Sequence, residues 1–286
     1  MKRLAGVALL AAWVGAAAPA TAAGPPALAG VHSFALALGG KPINDPGVRA
    51  KLLDYDLVVV DGEDAPAPLI SELRDHNVIV LGYLSVGTIE KWRSWYPRAK
   101  QYRGTRWGDW GEWYARVNKP GFRNLIVDDV APTILAKGFD GLFLDNTDMI
   151  EAYPSKATGM TLLVAGLAGL ADDNAALLFT QNGEESLQQE GLVAYFDGWN
   201  REDVTSTYSF DQKRYRMLSP AQIADNQAAL NELAAAGLFV SATDYVKRAG
   251  NDGEAQAVTN ACSVGAVPFA SDIKLNRIPS PPLSCQ

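Results

Sequence analysis

The sequence predicts an α/β fold, a (β/α)8 TIM barrel that forms a single domain over residues 31–286. Apolar runs of strand length alternate with helical patterns along this stretch, which is typical of parallel strands joined by crossover helices. Polar or acidic residues follow most of these runs, and in a barrel such residues meet at one rim. The eight predicted strands are 33–38, 57–61, 78–84, 141–145, 177–181, 193–199, 238–243 and 266–271.

Helical patterns lie between most of the predicted strands. They cover 46–53, 66–76, 130–137, 160–172, 183–190 and 220–236. A doubly wound open sheet is the alternative fold for alternating strands and helices. Such a sheet typically has a glycine-rich phosphate-binding turn after its first strand. Gly39-Gly40 follows the first strand but lacks that pattern, so the barrel is preferred.

Residues 1–23 are predicted to be a secretory signal peptide. Lys2 and Arg3 precede an apolar run at 4–18, and small residues at 20–22 offer a cleavage site. A membrane anchor is the alternative, but the run is short for a span and no second hydrophobic segment follows it. Residues 24–30 form a Pro/Ala/Gly linker. We therefore expect a secreted or periplasmic monomer with no membrane association after signal removal.

The charge of the chain restricts its partners. The formal net charge is -7, and it becomes -9 when Lys2 and Arg3 are removed with the signal. An acidic protein binds nucleic acid poorly, because nucleic-acid affinity depends on basic residues that contact phosphates. A neutral or cationic partner is therefore expected, and nucleic acid is not.

The chain contains few residues that suit a metal site. Its two histidines, His32 and His76, lack ligand spacing, so neither a metal nor another cofactor is expected. A metal-dependent hydrolase or deacetylase that uses Asp145, Asp148 and another acid is an alternative with little support.

Cys262 and Cys285 are the only cysteines, and in an exported protein such a pair suggests a disulfide, with two unpaired thiols as the alternative.

Two acids on separate predicted strands are candidates for catalysis. Asp145 ends the fourth strand, and Glu202 follows the sixth. Glycoside hydrolysis needs two carboxyl groups, one to attack or to orient water and one to protonate the leaving oxygen. The alternative is that such acids only cap helices or solvate loops. For Glu202 to act as an acid its pKa must lie above the ordinary value, which burial beside Trp199 and the charge on Asp145 would favour.

Residues 88–127 interrupt the alternation between the third and fourth strands. Five of the seven tryptophans lie there, interleaved with several arginines and lysines. These aromatic side chains could form a sugar-stacking platform over the cleft, or they could pack a long loop onto the rim. The tryptophans are Trp92, Trp95, Trp107, Trp110 and Trp113.

Four segments of the chain closely resemble glycoside hydrolase family 114, the endo-α-1,4-polygalactosaminidases and their bacterial relatives. They are Tyr83–Gly87 with Glu90, Gly138–Asp145, Gln181–Glu185, and Asp197-Gly198 with Glu202. The resemblance extends in order over nearly all of residues 31–278. Many members carry Glu directly after the Ser-x-Gly of the third strand, where this chain has Thr88.

The resemblance implies a (β/α)8 barrel that cleaves α-1,4-linked galactosamine polymers of microbial exopolysaccharide with retention. Asp145 would be the nucleophile and Glu202 the acid/base, about 5 Å apart. The expected partner is a cationic amino-sugar polymer, bound at strand ends. The candidate substrate-binding residues are Asp61, Tyr83, Asp148, Asn182, Trp199, Tyr245 and Asp272. Asp148 could contact a substrate amine, hold Asn146 or cap a helix. A barrel that binds such a polymer without cleaving it is the alternative function.

Overall fold

The computed structural model describes residues 27–285. The predicted signal peptide (1–23) and residues 24–26 of the predicted linker therefore lie outside the described residues. Among the helices of the described part, none is both long and apolar enough to cross a bilayer.

Eight parallel strands form one sheet whose spatial order follows the chain. Its first and last strands lie side by side, and Phe34 and Phe269 meet edge-to-face across this seam at 6.2 Å between ring centroids. The predicted (β/α)8 barrel is thus confirmed, with a nearly closed sheet. The strands are β1 (Phe34–Ala37), β2 (Leu57–Asp61), β3 (Ile79–Ser85), β4 (Gly141–Asp145), β5 (Leu177–Gln181), β6 (Gly198–Glu202), β7 (Phe239–Tyr245) and β8 (Val267–Ser271).

Helices follow the strands and cover the outside of the barrel. The α-helices are Gly40–Asn44, Pro46–Leu52, Ala67–Asp75, Tyr96–Ala99, Pro120–Asn124, Ala131–Leu135, Met149–Ala152, Ala157–Asp173, Glu184–Gln189, Pro220–Ala235 and Asp252–Cys262. A π-helical turn covers Leu125–Val130, and 3-10 turns cover Lys100–Tyr102, Pro154–Lys156 and Leu192–Tyr195. Because helices cover one face of each strand and the barrel interior covers the other, the strands are buried nearly throughout.

The sixth strand differs from the prediction. It covers Gly198–Glu202 instead of 193–199, and the apolar residues before it form the turn Leu192–Tyr195, in which Leu192 is fully buried. The strand instead contains Asn200, which is buried because side chains of neighbouring strands satisfy its amide. Hydrophobic periodicity cannot detect such partners, since they are distant in the chain.

Two hairpins extend from the carboxyl end of the barrel. The first hairpin (103–115) lies in the insertion after β3, where Arg103–Trp107 and Glu112–Ala115 pair with each other and Thr88–Ile89 adds a third strand. The second hairpin (206–217) follows β6 and pairs Ser206–Ser209 with Arg214–Met217. Both hairpins therefore rise beside the rim where the predicted site lies.

Cys262 and Cys285 form a disulfide, with their Cα atoms 5.3 Å apart. The sulfur of Cys285 lies 3.5 Å from the carbonyl oxygen of Ala266, immediately before β8 begins. The bond therefore attaches the C-terminal segment at the end of the barrel opposite the predicted site.

Candidate active site

A cavity of about 320 Å³ opens at the carboxyl ends of the barrel strands. Its walls combine carboxylates, amides and aromatic rings from several strands and from the insertion after β3. The lining side chains include Asp61, Asp64, Tyr83, Glu90, Trp92, Arg93, Trp107, Trp110, Glu112, Asp145, Asn146, Asp148, Gln181, Asn182, Glu202, Tyr245 and Lys274.

Asp145 is held in one orientation at the end of β4. The Tyr83 hydroxyl donates to its Oδ2 at 2.5 Å, and the backbone N–H of Asn146 donates to its Oδ1 at 2.7 Å. The carboxylate is half-buried at the floor of the cavity. Burial raises the pKa of Asp145, while these hydrogen bonds oppose the shift because they stabilise the charged form.

Glu202 at the end of β6 is held by three side chains. The Tyr245 hydroxyl donates to its Oε1, and its Oε2 accepts from Gln181 Nε2 at 2.8 Å and from Asn182 Nδ2 at 2.9 Å. Asn182 also accepts from the Glu202 backbone N–H at 3.0 Å. Burial raises the pKa of Glu202 to about 8, and the negative charge on Asp145 adds to the shift.

The two acids lie next to each other. Gln181 Nε2, which bonds Glu202 Oε2 at 2.8 Å, also donates to Asp145 Oδ1 at 3.3 Å. The two oxygens therefore cannot be further apart than the sum of these distances, about 6 Å. Sequence reasoning placed Asp145 and Glu202 on one rim, and the structure brings them into a single hydrogen-bonded group.

A buried polar layer beneath the cavity fixes the orientation of Gln181. Its Oε1 accepts from Asn200 Nδ2 at 3.1 Å, which leaves its amide nitrogen facing the two acids. Asn200 is fixed in turn, because Ser241 and Thr243 donate to its Oδ1 at 2.9 and 3.0 Å. Since each member has a partner, the network is rigid enough to position the acids.

Each of the three central strands ends in a residue with left-handed backbone conformation. Asn146, Asn182 and Asp203 follow β4, β5 and β6 with φ of 60°, 55° and 56°. Asn and Asp adopt this conformation more readily than most other side chains. The turn lets Asn182 reach back to Glu202 with both its donor and its acceptor.

Asp61 forms a salt bridge with Arg93, a residue of the insertion after β3. Arg93 Nη1 donates to both Asp61 oxygens at 2.8 Å, and its Nε pairs with Glu90. All three side chains are buried, and burial raises the pKa of Glu90 to about 7 although Arg93 opposes the shift. Arg93 therefore adds no uncompensated positive charge to the cavity, although the insertion that carries it contains several arginines and lysines.

Thr88 occupies the position where the resemblance implies Glu. Its hydroxyl donates to Glu112 Oε2 at 2.7 Å and lies 2.6 Å from the Ser85 hydroxyl. Glu112 belongs to the first hairpin and lines the cavity. A carboxylate from the hairpin thus reaches the vicinity of this position.

Five of the seven predicted substrate-binding residues line the cavity. They are Asp61, Tyr83, Asp148, Asn182 and Tyr245. Among residues 27–285, no group of three or more His, Cys, Asp or Glu side chains is arranged to hold a metal ion.

The other two predicted substrate-binding residues do not line the cavity. Trp199 is fully buried, and its Nε1 donates to the Asn182 carbonyl at 2.8 Å. Because side chains alternate along a strand, Trp199 lies on the opposite face of β6 from Glu202. Asp272 instead accepts from the Lys274 backbone N–H at 2.8 Å, which stabilises the turn after β8 and leaves Lys274 to line the cavity.

The tryptophans of the insertion divide into two groups. Trp92, Trp107 and Trp110 line the cavity, and Trp92 and Trp110 are 54% and 43% exposed. Trp95 is buried, and Trp113 packs against Tyr96 and the Arg103 guanidinium. Trp95 and Trp113 thus pack the insertion onto the rim, whereas sugar stacking by the three cavity tryptophans stays a prediction.

Sequence reasoning did not select several cavity residues. Gln181 adjoins the selected Asn182 at a strand end, so strand position could have identified it. Glu112 and Arg93 carried no comparable signal, because the insertion that contains them has no barrel periodicity.

A parallel barrel with two adjacent carboxyl groups at the carboxyl ends of its strands is an arrangement typical of glycoside hydrolases. The family comparison agrees, since residues 14–278 match the model of glycoside hydrolase family GH114. The chain belongs to this family of glycoside hydrolases, which confirms the assignment made from the motifs.

Solved structures similar to this chain share its fold. The glycoside hydrolase domain of PelA from Pseudomonas aeruginosa is 21% identical, with a TM-score of 0.72 over 86% of this chain and 95% of that chain. Ega3 from Aspergillus fumigatus, solved in complex with galactosamine, is 20% identical, with a TM-score of 0.67 over 90% and 96% of the two chains.

One curated relative comes from Deinococcus radiodurans and is described as an uncharacterized protein. It is 23% identical over 166 residues, which are 52% of this chain and 53% of the relative. The match thus spans about half the length of that protein.

Proposed function

We propose that this protein hydrolyses α-1,4-linked galactosamine polymers with retention of configuration, with Asp145 as nucleophile and Glu202 as acid/base. The observation that carries the proposal is the shared hydrogen bond from Gln181, which limits the separation of the two nearest carboxyl oxygens to about 6 Å. Retaining enzymes place their carboxyl groups about 5–5.5 Å apart, whereas inverting enzymes need about 6.5–9.5 Å to admit a water. The bound on this pair of oxygens is compatible with the retaining separation.

In the first step, Asp145 attacks the anomeric carbon while Glu202 protonates the leaving glycosidic oxygen, which gives a covalent glycosyl-enzyme. A pKa of about 8 keeps Glu202 protonated at neutral pH, as this role needs. In the second step, the Glu202 carboxylate takes a proton from water, and the water oxygen attacks the anomeric carbon and releases Asp145. Tyr83 keeps one Asp145 oxygen oriented throughout.

The proposed substrate is a polymer with free amines. Asp148 lines the cavity, and within residues 27–285 it forms no ion pair with a basic side chain. Burial and the charge on Asp145 raise the pKa of Asp148 to about 7, and a sugar ammonium group beside it would favour the charged form. Membership of family GH114 and the galactosamine complex of Ega3 support this substrate class.

The proposed location is outside the cytoplasm. The pattern of residues 1–23 supports export, and the Cys262–Cys285 disulfide suits an oxidising compartment.

The proposal is tested by incubation with defined galactosamine oligomers, with product lengths read by mass spectrometry and the anomeric configuration of the first products read by proton NMR. The wild type should release shorter oligomers with the α configuration retained at the new reducing end. Asp145→Asn and Glu202→Gln should each abolish release while oligomer binding stays measurable, and Glu232→Gln, an exposed acid on a peripheral helix, should behave as the wild type. Binding without product in the wild type would favour the non-catalytic barrel instead.

A further inference from the structure

The two hairpins at the mouth of the barrel touch each other at their tips. Trp110 in the turn of the first hairpin and Phe210 in the turn of the second lie with ring centroids 5.2 Å apart, edge-to-face at 71°. One hairpin starts after β3 and the other after β6, so the contact joins chain segments from different sides of the mouth.

Each tip is supported by a row of aromatic rings. In the second hairpin, Tyr208 packs against Phe210 at 5.3 Å and against Tyr215 at 5.0 Å. In the first hairpin, Trp107 stacks on Tyr114 at 5.5 Å and 10° between planes. Each hairpin thus has aromatic contacts of its own, and the Trp110–Phe210 pair joins the two tips.

Trp110 carries this contact at the wall of the central cavity, and a second cavity that shares residues with the central one would extend it into a path for a sugar chain. β4 and β5 lie between β3 and β6 in the sheet, so the two hairpins flank the ends of these strands and the bridge between the hairpin tips spans that gap. Asp148 and Asn182, which follow β4 and β5, line both the central cavity and a second cavity of about 350 Å³. Glu202 also lines both, so the path passes the proposed acid/base.

The two ends of this path suit an extended amino-sugar chain. The central cavity offers the exposed ring of Trp92 on one side, and the second cavity offers Glu185 on the other, where Glu184 is paired with Arg201. Aromatic faces stack on sugar rings, and carboxylates attract ammonium groups. A chain of several sugars would therefore run beneath the bridge.

We propose that the Trp110–Phe210 contact is a clasp that restricts the entry of long galactosamine polymers relative to short oligomers. This inference rests on the proposed function. Trp110 is 43% exposed, so the clasp can open without unpacking the core. A short oligomer can enter along the path from one end, whereas an internal segment of a polymer needs the clasp to open.

Phe210→Ala tests the clasp, because it removes the tip contact and leaves Trp110 in the cavity wall. We expect kcat/KM on the polymer to rise about fivefold, the scale of losing one aromatic pair, with kcat/KM on a tetramer unchanged. Met217→Ala, at an exposed position of the same hairpin away from its tip, is the matched control and should change neither value. Equal changes on both substrates, or none on either, would overturn the clasp.

A locked clasp gives an independent measurement. Cysteines placed at 109 and 211, exposed turn positions next to the aromatic pair, leave Trp110 and Phe210 in place and can be joined by a short bis-maleimide, since the two native cysteines are paired with each other. The locked enzyme should lose cleavage of the polymer and keep cleavage of the tetramer, and undiminished polymer cleavage would contradict the proposal. If the wild type cleaves neither substrate, the proposed function is wrong and the clasp with it.

Discussion

Asp145 and Glu202 accept hydrogen bonds from the same amide nitrogen of Gln181. One neutral donor thus holds two carboxyl groups that would repel each other if both were charged. Their proximity helps to separate their pKa values, because the charge on Asp145 raises the pKa of Glu202. This is the electrostatic asymmetry that a nucleophile and a general acid need.

The proposed roles of Asp145 and Glu202 can be distinguished with two substrates that differ in the acidity of the leaving group. Glu202→Gln removes the proposed proton donor, so we expect kcat/KM on a galactosamine oligomer to fall about 10³-fold or more, but much less on an aryl galactosaminide with an acidic phenol. Asp145→Asn removes the proposed attacking oxygen and should be equally inactive on both substrates. Steady-state kinetics on the two substrates checks this, and the opposite pattern would exchange the two roles.

Activity should decline in alkaline solution. Glu202 must carry a proton to act as the acid, and its pKa is raised to about 8, so kcat/KM on oligomers should fall as pH rises through about 8. A pH profile between 3 and 10 at constant ionic strength measures this limb. A limb near the ordinary pKa of a glutamic acid, 4.5, would show that Glu202 is not the group that titrates.

Tyr245 should affect the alkaline limb, which is the part of the pH profile where activity falls as pH rises. Its hydroxyl donates to Glu202 and lowers the pKa of that acid relative to burial alone. Tyr245→Phe should therefore move the alkaline limb to higher pH. Tyr195→Phe, at an exposed position before β6, is the matched control and should leave the profile in place. A shift to lower pH in Tyr245→Phe would contradict the assigned direction.

Stability should also depend on pH through the buried acids. The folded-state pKa of Glu202, about 8, lies above the ordinary value of 4.5, so the folded state binds more protons between these values. The stability from this group is complete below about 4.5 and is lost as pH rises through about 8. Urea unfolding at pH 5 and 8 should show a smaller decline in Glu202→Gln than in wild type. An equal decline in both proteins would exclude Glu202 as a source of the pH dependence of stability.

The disulfide should affect stability without affecting catalysis. It closes a loop with a sequence separation of 23, and such a cross-link contributes about 3 kcal/mol, chiefly by restricting the unfolded chain. Cys262→Ser with Cys285→Ser should lower the free energy of unfolding by about that amount. Oligomer turnover at 25 °C should be unchanged, because the bond lies at the opposite end of the barrel. A large loss of turnover in the folded variant would contradict this separation.

The fold could be predicted because its signal is local. Runs such as 57–61 and 141–145 lack polar residues up to the aspartate that ends each of them, and β2 and β4 match these runs residue for residue. β6 could not be predicted in this way, since Asn200 is buried only through contacts with Gln181, Ser241 and Thr243. A sequence pattern records the polarity of a residue and not the partner that satisfies it.

The candidate site was predictable where it follows strand ends. Asp145, Asn182 and Glu202 were selected on this basis, and all three line the cavity. Trp199 was selected as the end of the predicted sixth strand, but β6 covers Gly198–Glu202 and its alternation turns Trp199 away from the cavity. Glu112 and Trp110 reach the cavity through the folding of the insertion, which strand-end position does not reveal.

The left-handed residues that terminate β4, β5 and β6 also limit how this site can vary. At positions 146, 182 and 203, a β-branched or bulky replacement would distort the main chain before its side chain met any ligand. Attempts to re-engineer the specificity of this barrel should therefore diversify the hairpins and leave these three junctions as Asn, Asp or Gly.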